Sequence, residues 1–436
     1  MTAEIAIMNK EAIALAADSA VTMSTTGQRV AKIFPSANKL FTLSKFYPIG
    51  IMVYGNAQLM GVPWETIIKI YRNKLGNNEF DTLNDYSNDF IKFLNTDKHL
   101  FSDSMQLNYF KNDVTGYFEL IKSKLKDELE LKIRERGQID DEIAEDVASK
   151  IIKDHYEIWS TGKEIPCCPA NFEEESLIKY DSILDEVIKN VFEKYPLTHN
   201  HRDMLKKIAI WVVTRFSEKI SNSDNSGVVI AGFGKKDIFP ILENYKFERI
   251  INNKLKYIEL GTFPVNDETG ARIIPFAQSE MVSTFMEGVD PGYRSFKDGY
   301  IFKIFGDYAE IIINTLDKYS DLEKEKLKTK LVSSGEQLVN DLGKALADYR
   351  RMYLFGPILN VVSGLPRDEL ASMAEALVNL TSLKRRVTPE NETVGGPIDV
   401  AIITKGDGFI WIKRKHYFKV EFNPQFRENY YRECRE

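Results

Sequence analysis

The chain has 436 residues, 43% of them hydrophobic and 28% charged, with a formal net charge of −6. That length allows one large domain or two ordinary ones with ample core, and the composition excludes a disordered or fibrous chain. Charges of both signs are interspersed and no basic block would track a phosphate backbone, so nucleic acid is not an expected partner.

In chain order, Glu4 to Met8, Ala12 to Ala17, Lys39 to Leu43 and Ile49 to Tyr54 are short apolar runs bounded by turn residues, and they read as strands. Asn9-Lys10 connects the first two tightly, and Ser44 to Pro48 joins the second pair. Gly55-Asn56-Ala57 breaks the pattern, after which Pro63-Trp64-Glu65 opens a helix with Ile67, Ile68, Ile70 and Tyr71 as apolar positions. From about 78 to 222 the sequence becomes charged and helix-forming with few glycines, which reads as one large helical insertion. Within it Phe118, Ile121, Leu125, Leu129 and Ile133 stand near helical spacing, the mark of an ordinary core-facing helix, with a lid or oligomer contact as the functional alternative. Strands return at Gly227 to Gly232, Tyr257 to Leu260 and Ala271 to Ile274. Helices follow through roughly 278–289, 305–316, 332–355 and 367–381, and Ile398 to Thr404 and Gly408 to Ile412 close the chain across a Lys-Gly-Asp-Gly turn. The order strands, helices, strands, helices, strands gives an α+β class with two sheets flanked by helix layers. Four segments are expected: 2–77 as the first part of a core, 78–222 as the helical insertion, 223–413 as the rest of the core with extra helices, and 414–436 as a C-terminal tail.

Three cysteines, Cys167, Cys168 and Cys434, make no disulfide framework, which points to a reducing cytoplasm. The start of the chain has no basic signal-peptide region, and no apolar run is long enough for a bilayer, so a cytoplasmic protein without a membrane partner is expected. Gly27, Gly55 and Gly61 form no phosphate-binding loop. His199-Asn200-His201 lacks a second ligand cluster and reads as a loop pair, so neither cofactor nor metal is expected.

Thr2 directly follows the initiator Met, and aminopeptidases remove Met before a small residue. Thr2 would then carry a hydroxyl and a free α-amine on one residue, a nucleophile beside its own base, since an α-amine titrates at about 7.7 to 8.0. The stretch Ala16-Ala17-Asp18-Ser19-Ala20-Val21-Thr22 resembles the proteasome β-subunit group of N-terminal-nucleophile hydrolases. Their mature chains begin with Thr, run one hairpin to such an element, then carry a strand lysine and a glycine turn before the first helix. Gly232-Phe233-Gly234 resembles a turn of that family, and Gly395-Gly-Pro-Ile-Asp-Val-Ala-Ile-Ile-Thr404 resembles its closing strand. The Thr-Val-Gly-Gly-Pro-Ile run and the Met-Thr start are nearest to the bacterial HslV and ancestral β-subunit (Anbu) types. The likeness covers roughly 2–73, 226–290 and 366–413.

The resemblance implies a four-layer αββα sandwich and a threonine-type amide hydrolase in which Asp18 pairs with a lysine that holds the Thr2 hydroxyl. Lys39, at the head of Lys-Leu-Phe-Thr-Leu, fits the family's distance to Gly55 better than Lys32. Gly55 would supply the oxyanion N–H, with Asn56 as a further donor. Thr22 would pair its backbone with an extended peptide. Ser19, Ser279 and Asn391 are accessory positions, whereas Val394 stands where the family has a hydrogen-bonding serine, with Glu390 or Glu392 as electrostatic substitutes. The implied partners are a peptide or protein substrate and further copies of the chain in a ring or helical stack, and the sequence leaves open whether an ATP-dependent unfoldase takes part. Two alternatives stay open: an amidase acting on a non-peptide amide, and a non-catalytic assembly subunit. Asp18 and Lys39 taken alone would be an ordinary structural ion pair.

Overall fold

The computed structural model describes residues 2–23, 32–166, 169–217, 219–220, 225–316, 318–388, 394–426 and 428. The chain begins with strands β1 (Ala3–Asn9), β2 (Ala12–Ala17), β3 (Val21–Met23), β4 (Lys32–Phe34), β5 (Leu40–Thr42), β6 (Ile49–Gly55), β7 (Gln58–Leu59) and β8 (Val62–Pro63). Helices α1 (Trp64–Leu75), α2 (Leu83–Thr96), α3 (Asp103–Arg136) and α4 (Asp141–Ser160) follow, then β9 (Lys163–Glu164), α5 (Phe172–Phe192), α6 (His199–Thr214) and β10 (Arg215–Phe216). Next come β11 (Ser226–Gly232), β12 (Ile241–Ile251), β13 (Lys254–Pro264) and β14 (Ala271–Ala277). The rest is α7 (Glu280–Glu287), α8 (Pro291–Asn314), α9 (Asp321–Arg350), α10 (Gly356–Ser363), α11 (Arg367–Val387), β15 (Asp399–Thr404) and β16 (Gly408–Lys413). The class is mixed α+β. By compactness the chain divides into one unit of Met1–Tyr54, Ala231–Ile241 and Phe263–Glu436 and another of Gly55–Ile230 and Leu242–Thr262.

In the first unit, β1 and β2 form the expected hairpin. Asn9 closes it by accepting from the N–H groups of Glu11 (3.0 Å) and Ala12 (3.2 Å) through its side chain, a local turn that asparagine makes readily. The hairpin lies at the centre of an antiparallel sheet of order β14-β1-β2-β15-β16. Ala3, Ile5 and Ile7 of β1 and Ala12, Ala14 and Ala16 of β2 pack in one apolar cluster with Val282 of α7, Val362 of α10 and Leu370, Ala374 and Leu377 of α11. Alternation along a strand then puts Thr2, Glu4, Ala6 and Met8 on the opposite face. Both faces are buried, which is why β1 and β2 read as nearly continuous apolar runs.

The opposite face meets the β5–β6 hairpin, in register with Leu40 opposite Met52. A side chain at Gly50 of β6 would stand 2.8 Å from the Ile403 Cδ1 of β15 and 2.9 Å from the Phe409 ring of β16, so the two β layers touch there. Gly232 is required for a different close approach. Its φ is +153°, a Cβ would collide with the Pro48 carbonyl oxygen, and the next N–H, from Phe233, donates to that oxygen at 3.1 Å.

The second unit is largely helical. Phe110, Val114, Phe118, Ile121 and Leu125 of α3, Ile152 of α4, Leu184 and Ile188 of α5 and Leu205 and Ile208 of α6 share one core. Of the apolar row expected on α3, Leu129 is only half-buried and Ile133 is exposed, because the helix continues to Arg136 past the end of that core. His199 and His201 fall in the first turn of α6 and not in a loop. His201 Nδ1 accepts from the Thr198 N–H at 3.3 Å while Thr198 Oγ1 accepts from His201 N–H, a reciprocal cap. Among the described residues no group of His, Cys, Asp and Glu side chains could hold a metal, and no helix is long and apolar enough to cross a membrane. Cys167, Cys168 and Cys434 lie outside the described residues.

Two further departures have local causes. Strand β12 carries Glu243, Glu248 and Arg249 at buried positions, which hides its strand pattern. Those charges are matched: Asn84 (3.0 Å) and Tyr245 (2.8 Å) donate to Glu243, Lys256 meets Glu248 at 2.8 Å, and Arg249 meets Asp113. Helix α8 starts at Pro291, well before residue 305, because Asp290 caps it by accepting from Gly292 N–H (2.9 Å) and Tyr293 N–H (3.1 Å) and Pro291 has no N–H to lose. Helix α9 likewise begins at Asp321 behind a Ser320–Glu323 capping box and runs through a π turn, Arg351–Phe355, into α10.

The Lys256–Glu248 pair is the most buried ion pair of the second unit, and burial lowers the Lys256 pKa to about 8. Removing one partner strands the other. Lys256→Met should cost about 3 kcal/mol, the low end for a broken buried pair because Lys246 stays 3.8 Å from Glu248. Adding Glu248→Leu should restore most of it, and urea midpoints of the single and double variants decide whether the pair behaves this way.

Candidate active site

Thr2 is 4% exposed and stands one residue ahead of β1. Its hydroxyl donates to Glu4 Oε2 at 3.0 Å. The other oxygen of that carboxylate, Glu4 Oε1, is 3.3 Å from Lys39 Nζ, and the same ammonium is bonded to Asp18 Oδ1. Glu4, Asp18 and Lys39 are all at least nine-tenths buried. Thr2 and Lys39 are therefore bridged by one carboxylate, and Lys39 by two.

Each side chain is placed by backbone pairing. Glu4 sits two positions after Thr2 on β1 and so shares its face, with Ala17 and Phe276 as its neighbours across the strands. Asp18 ends β2. Its Oδ1 accepts from Ala3 N–H at 3.1 Å, and its Oδ2 accepts from Ala20 N–H at 3.2 Å and Gly395 N–H at 2.9 Å. One carboxylate thus ties together the start of β1, the end of β2 and the Gly395-Gly396 segment that leads into β15. Lys39 precedes β5, and its carbonyl accepts from Val53 N–H of β6 at 2.8 Å. Lys39 is the lysine on Asp18. Lys32 stands in β4 opposite Met23.

Electrostatics make Glu4 the unusual member. Burial is the largest influence and, with the negative charge of Asp18, raises its pKa from 4.5 to about 7, against the opposing effects of the Lys39 ammonium and the Thr2 hydroxyl. Sequence reading missed Glu4 altogether. The signal was present: one acid in an otherwise apolar strand, on the face of Thr2.

The remaining expected positions divide. Ser19 commits its hydroxyl to the Pro397 carbonyl and its N–H to Gly395 O at 3.2 Å, which fastens the end of β2 to the closing segment. Thr22 lies in β3 opposite Ile33 of β4, so the chain itself pairs with it on one edge. Ser279 is the N-cap residue of α7, half-buried, and its carbonyl accepts from Ser283 N–H at 2.9 Å. The residue before it, Gln278, donates its N–H to the Thr2 carbonyl at 3.2 Å and accepts from Arg385 through its side chain. Val394 is fully buried in the apolar cluster under α11. Glu390, Asn391 and Glu392 lie outside the described residues.

Gly55 and Asn56 open the second unit. Gly55 has φ +81°, and a Cβ there would come within 2.9 Å of the Asn225 carbonyl oxygen. The glycine is thus required by the chain's own backbone, whatever approaches from outside. Asn56 donates its N–H to that oxygen at 3.1 Å and accepts from Gln58 N–H through its side chain at 3.1 Å. No protein-family model matches this chain, and no curated protein matches it.

Proposed function

We propose that the chain is an amide hydrolase of the N-terminal threonine class, with Thr2 as nucleophile once Met1 is removed. The observation that supports this most is the buried ammonium of Lys39, fixed on Asp18 and linked to the Thr2 hydroxyl through one carboxylate. A lone structural ion pair would have no need of a threonine hydroxyl at its end. In this reading Thr2 Oγ1 attacks the substrate carbonyl and Lys39 stabilises negative charge as it develops. A four-layer αββα arrangement and peptide substrates belong to the proposal through the resemblance, and a cytoplasmic setting through the cysteine usage. Self-association has separate support. Tyr293, Phe296, Tyr300, Tyr308 and Ile311 of α8 are all more than half exposed, and only Ala309 of that helix is buried. The assembly-subunit reading has one observation on its side, the apolar Val394 at an accessory position.

The test pairs intact mass with kinetics. The untagged protein should lack Met1 and cleave extended peptides faster than small amides. Thr2→Ala should lose at least about 10³-fold in rate while keeping the assembled mass. Hydrolysis that survives Thr2→Ala removes the nucleophile assignment, and preference for a small amide turns the peptidase into an amidase.

A further inference from the structure

We propose that Glu4 is the general base for the Thr2 hydroxyl, a role that rests on the hydrolase reading above. The geometry carries it. Glu4 Oε2 already accepts the hydroxyl proton at 3.0 Å, within the reach required of a catalytic base, and is the hydroxyl's hydrogen-bond acceptor. Its orientation is fixed from three sides: β1 pairs with β2 and β14 on either side of it, and Lys39 holds the second oxygen. The groups that act on it electrostatically are Lys39 and Asp18, joined by the Thr2 α-amine once Met1 is removed, while the paired neighbours Ala17 and Phe276 carry no charge.

In the acylation step the proton moves from Thr2 Oγ1 to Glu4 Oε2 as the Oγ1 lone pair forms a bond to the carbonyl carbon. The carbon–nitrogen bond then breaks, and Glu4 returns the proton to the departing nitrogen. Water completes the turnover by the same route: it adds to the ester carbon, gives its proton to Glu4, and the Thr2 oxygen recovers it on leaving. The ammonium of Lys39 favours the carboxylate form of Glu4 between transfers. A buried carboxyl that titrates near neutrality suits both directions of transfer, whereas an ordinary glutamate would be too weak a base. This assignment also frees the hydroxyl's activation from the α-amine: Thr2 and Glu4 meet through side chains alone.

Acylation of Thr2 by a small β-lactone, followed by intact mass and peptide mapping from about pH 5 to about pH 9, tests it without a known substrate. In the full-length wild type the labelling rate should climb through about pH 7, and Thr2→Ala should not be labelled. Glu4→Gln should be labelled about 10²-fold more slowly or worse and lose that climb. Glu4→Asp, which keeps the charge but draws it back by one methylene, should fall between them. It decides the matter if the glutamine variant does not fold. Wild-type rates and an unchanged profile in Glu4→Gln or Glu4→Asp overturn the role of Glu4 and leave Thr2 as nucleophile. Equal labelling of wild type and Thr2→Ala overturns the hydrolase reading, and the role of Glu4 with it.

Discussion

Asp18→Ala should be the most damaging single substitution in the first unit, at about 5 kcal/mol or more. The carboxylate serves as acceptor for three backbone N–H groups, from Ala3, Ala20 and Gly395, and as counter-ion to Lys39. Alanine leaves a buried ammonium with only Glu4 opposite it, and breaking a buried pair by removing one partner costs about 3–5 kcal/mol. Each orphaned N–H adds about 1–3 kcal/mol unless water enters. Asp18→Asn keeps the shape and one acceptor oxygen but turns a donor toward Lys39 or an N–H, so it should recover only part of the loss. Hydrogen exchange at the amides of β1 and β2 reads the effect locally, and protection in Asp18→Ala equal to wild type would show that the three strand ends are held by something else.

How much of this site could be read in advance depended on how visibly each residue breaks its surroundings. Asp18 closes an all-apolar strand and Lys39 opens one, so both stood out, and the structure places them on each other. Glu4 breaks an apolar strand as well, but period two, and not proximity in sequence, is what puts it beside the Thr2 hydroxyl. Gly232 was recognised from its motif, and its cause, the Pro48 carbonyl, is a tertiary contact no local pattern contains. The same holds for Val394, whose apolar side chain makes sense only against α11. In the scaffold, strands buried on both faces with plain apolar composition were legible, while β12 was masked by charges whose partners sit on other elements. Helix α8 was shortened in the reading because its charged residues, Arg294, Lys297, Asp298, Lys303, Asp307 and Glu310, are spread around it and mark no single polar face, although its Asp290-Pro291 start signal was there to be used.

Lys39→Met should destabilise the protein, and more at high pH, with the sign set by Glu4. In the wild type the Glu4 pKa is raised from 4.5 to about 7, so between those values the folded chain binds a proton that the unfolded chain has released. The stability this carboxyl contributes is therefore fully present below about pH 4.5 and lost as pH rises through about 7, and at about 1.4 kcal/mol for each pH unit it amounts to about 3 kcal/mol. Glu4→Gln should abolish that slope and be the more stable protein at pH 8, even as it loses the proposed base. Lys39 is the cation that limits the slope. Without it two buried carboxylates share the site, the Glu4 pKa moves further up, and stability continues to fall at higher pH. The loss in Lys39→Met should thus be about 3 kcal/mol at pH 5, where Glu4 holds its proton but Asp18 has lost its counter-ion, and about 1.4 kcal/mol larger at pH 8, where Glu4 must either ionise unpaired or bind a proton against the solvent. Urea midpoints of wild type, Glu4→Gln and Lys39→Met at the two pH values measure it. A Lys39→Met loss equal at both would mean that Lys39 does not act on the protonation of Glu4, and a wild-type slope that survives in Glu4→Gln would remove the electrostatic basis for its role as a base.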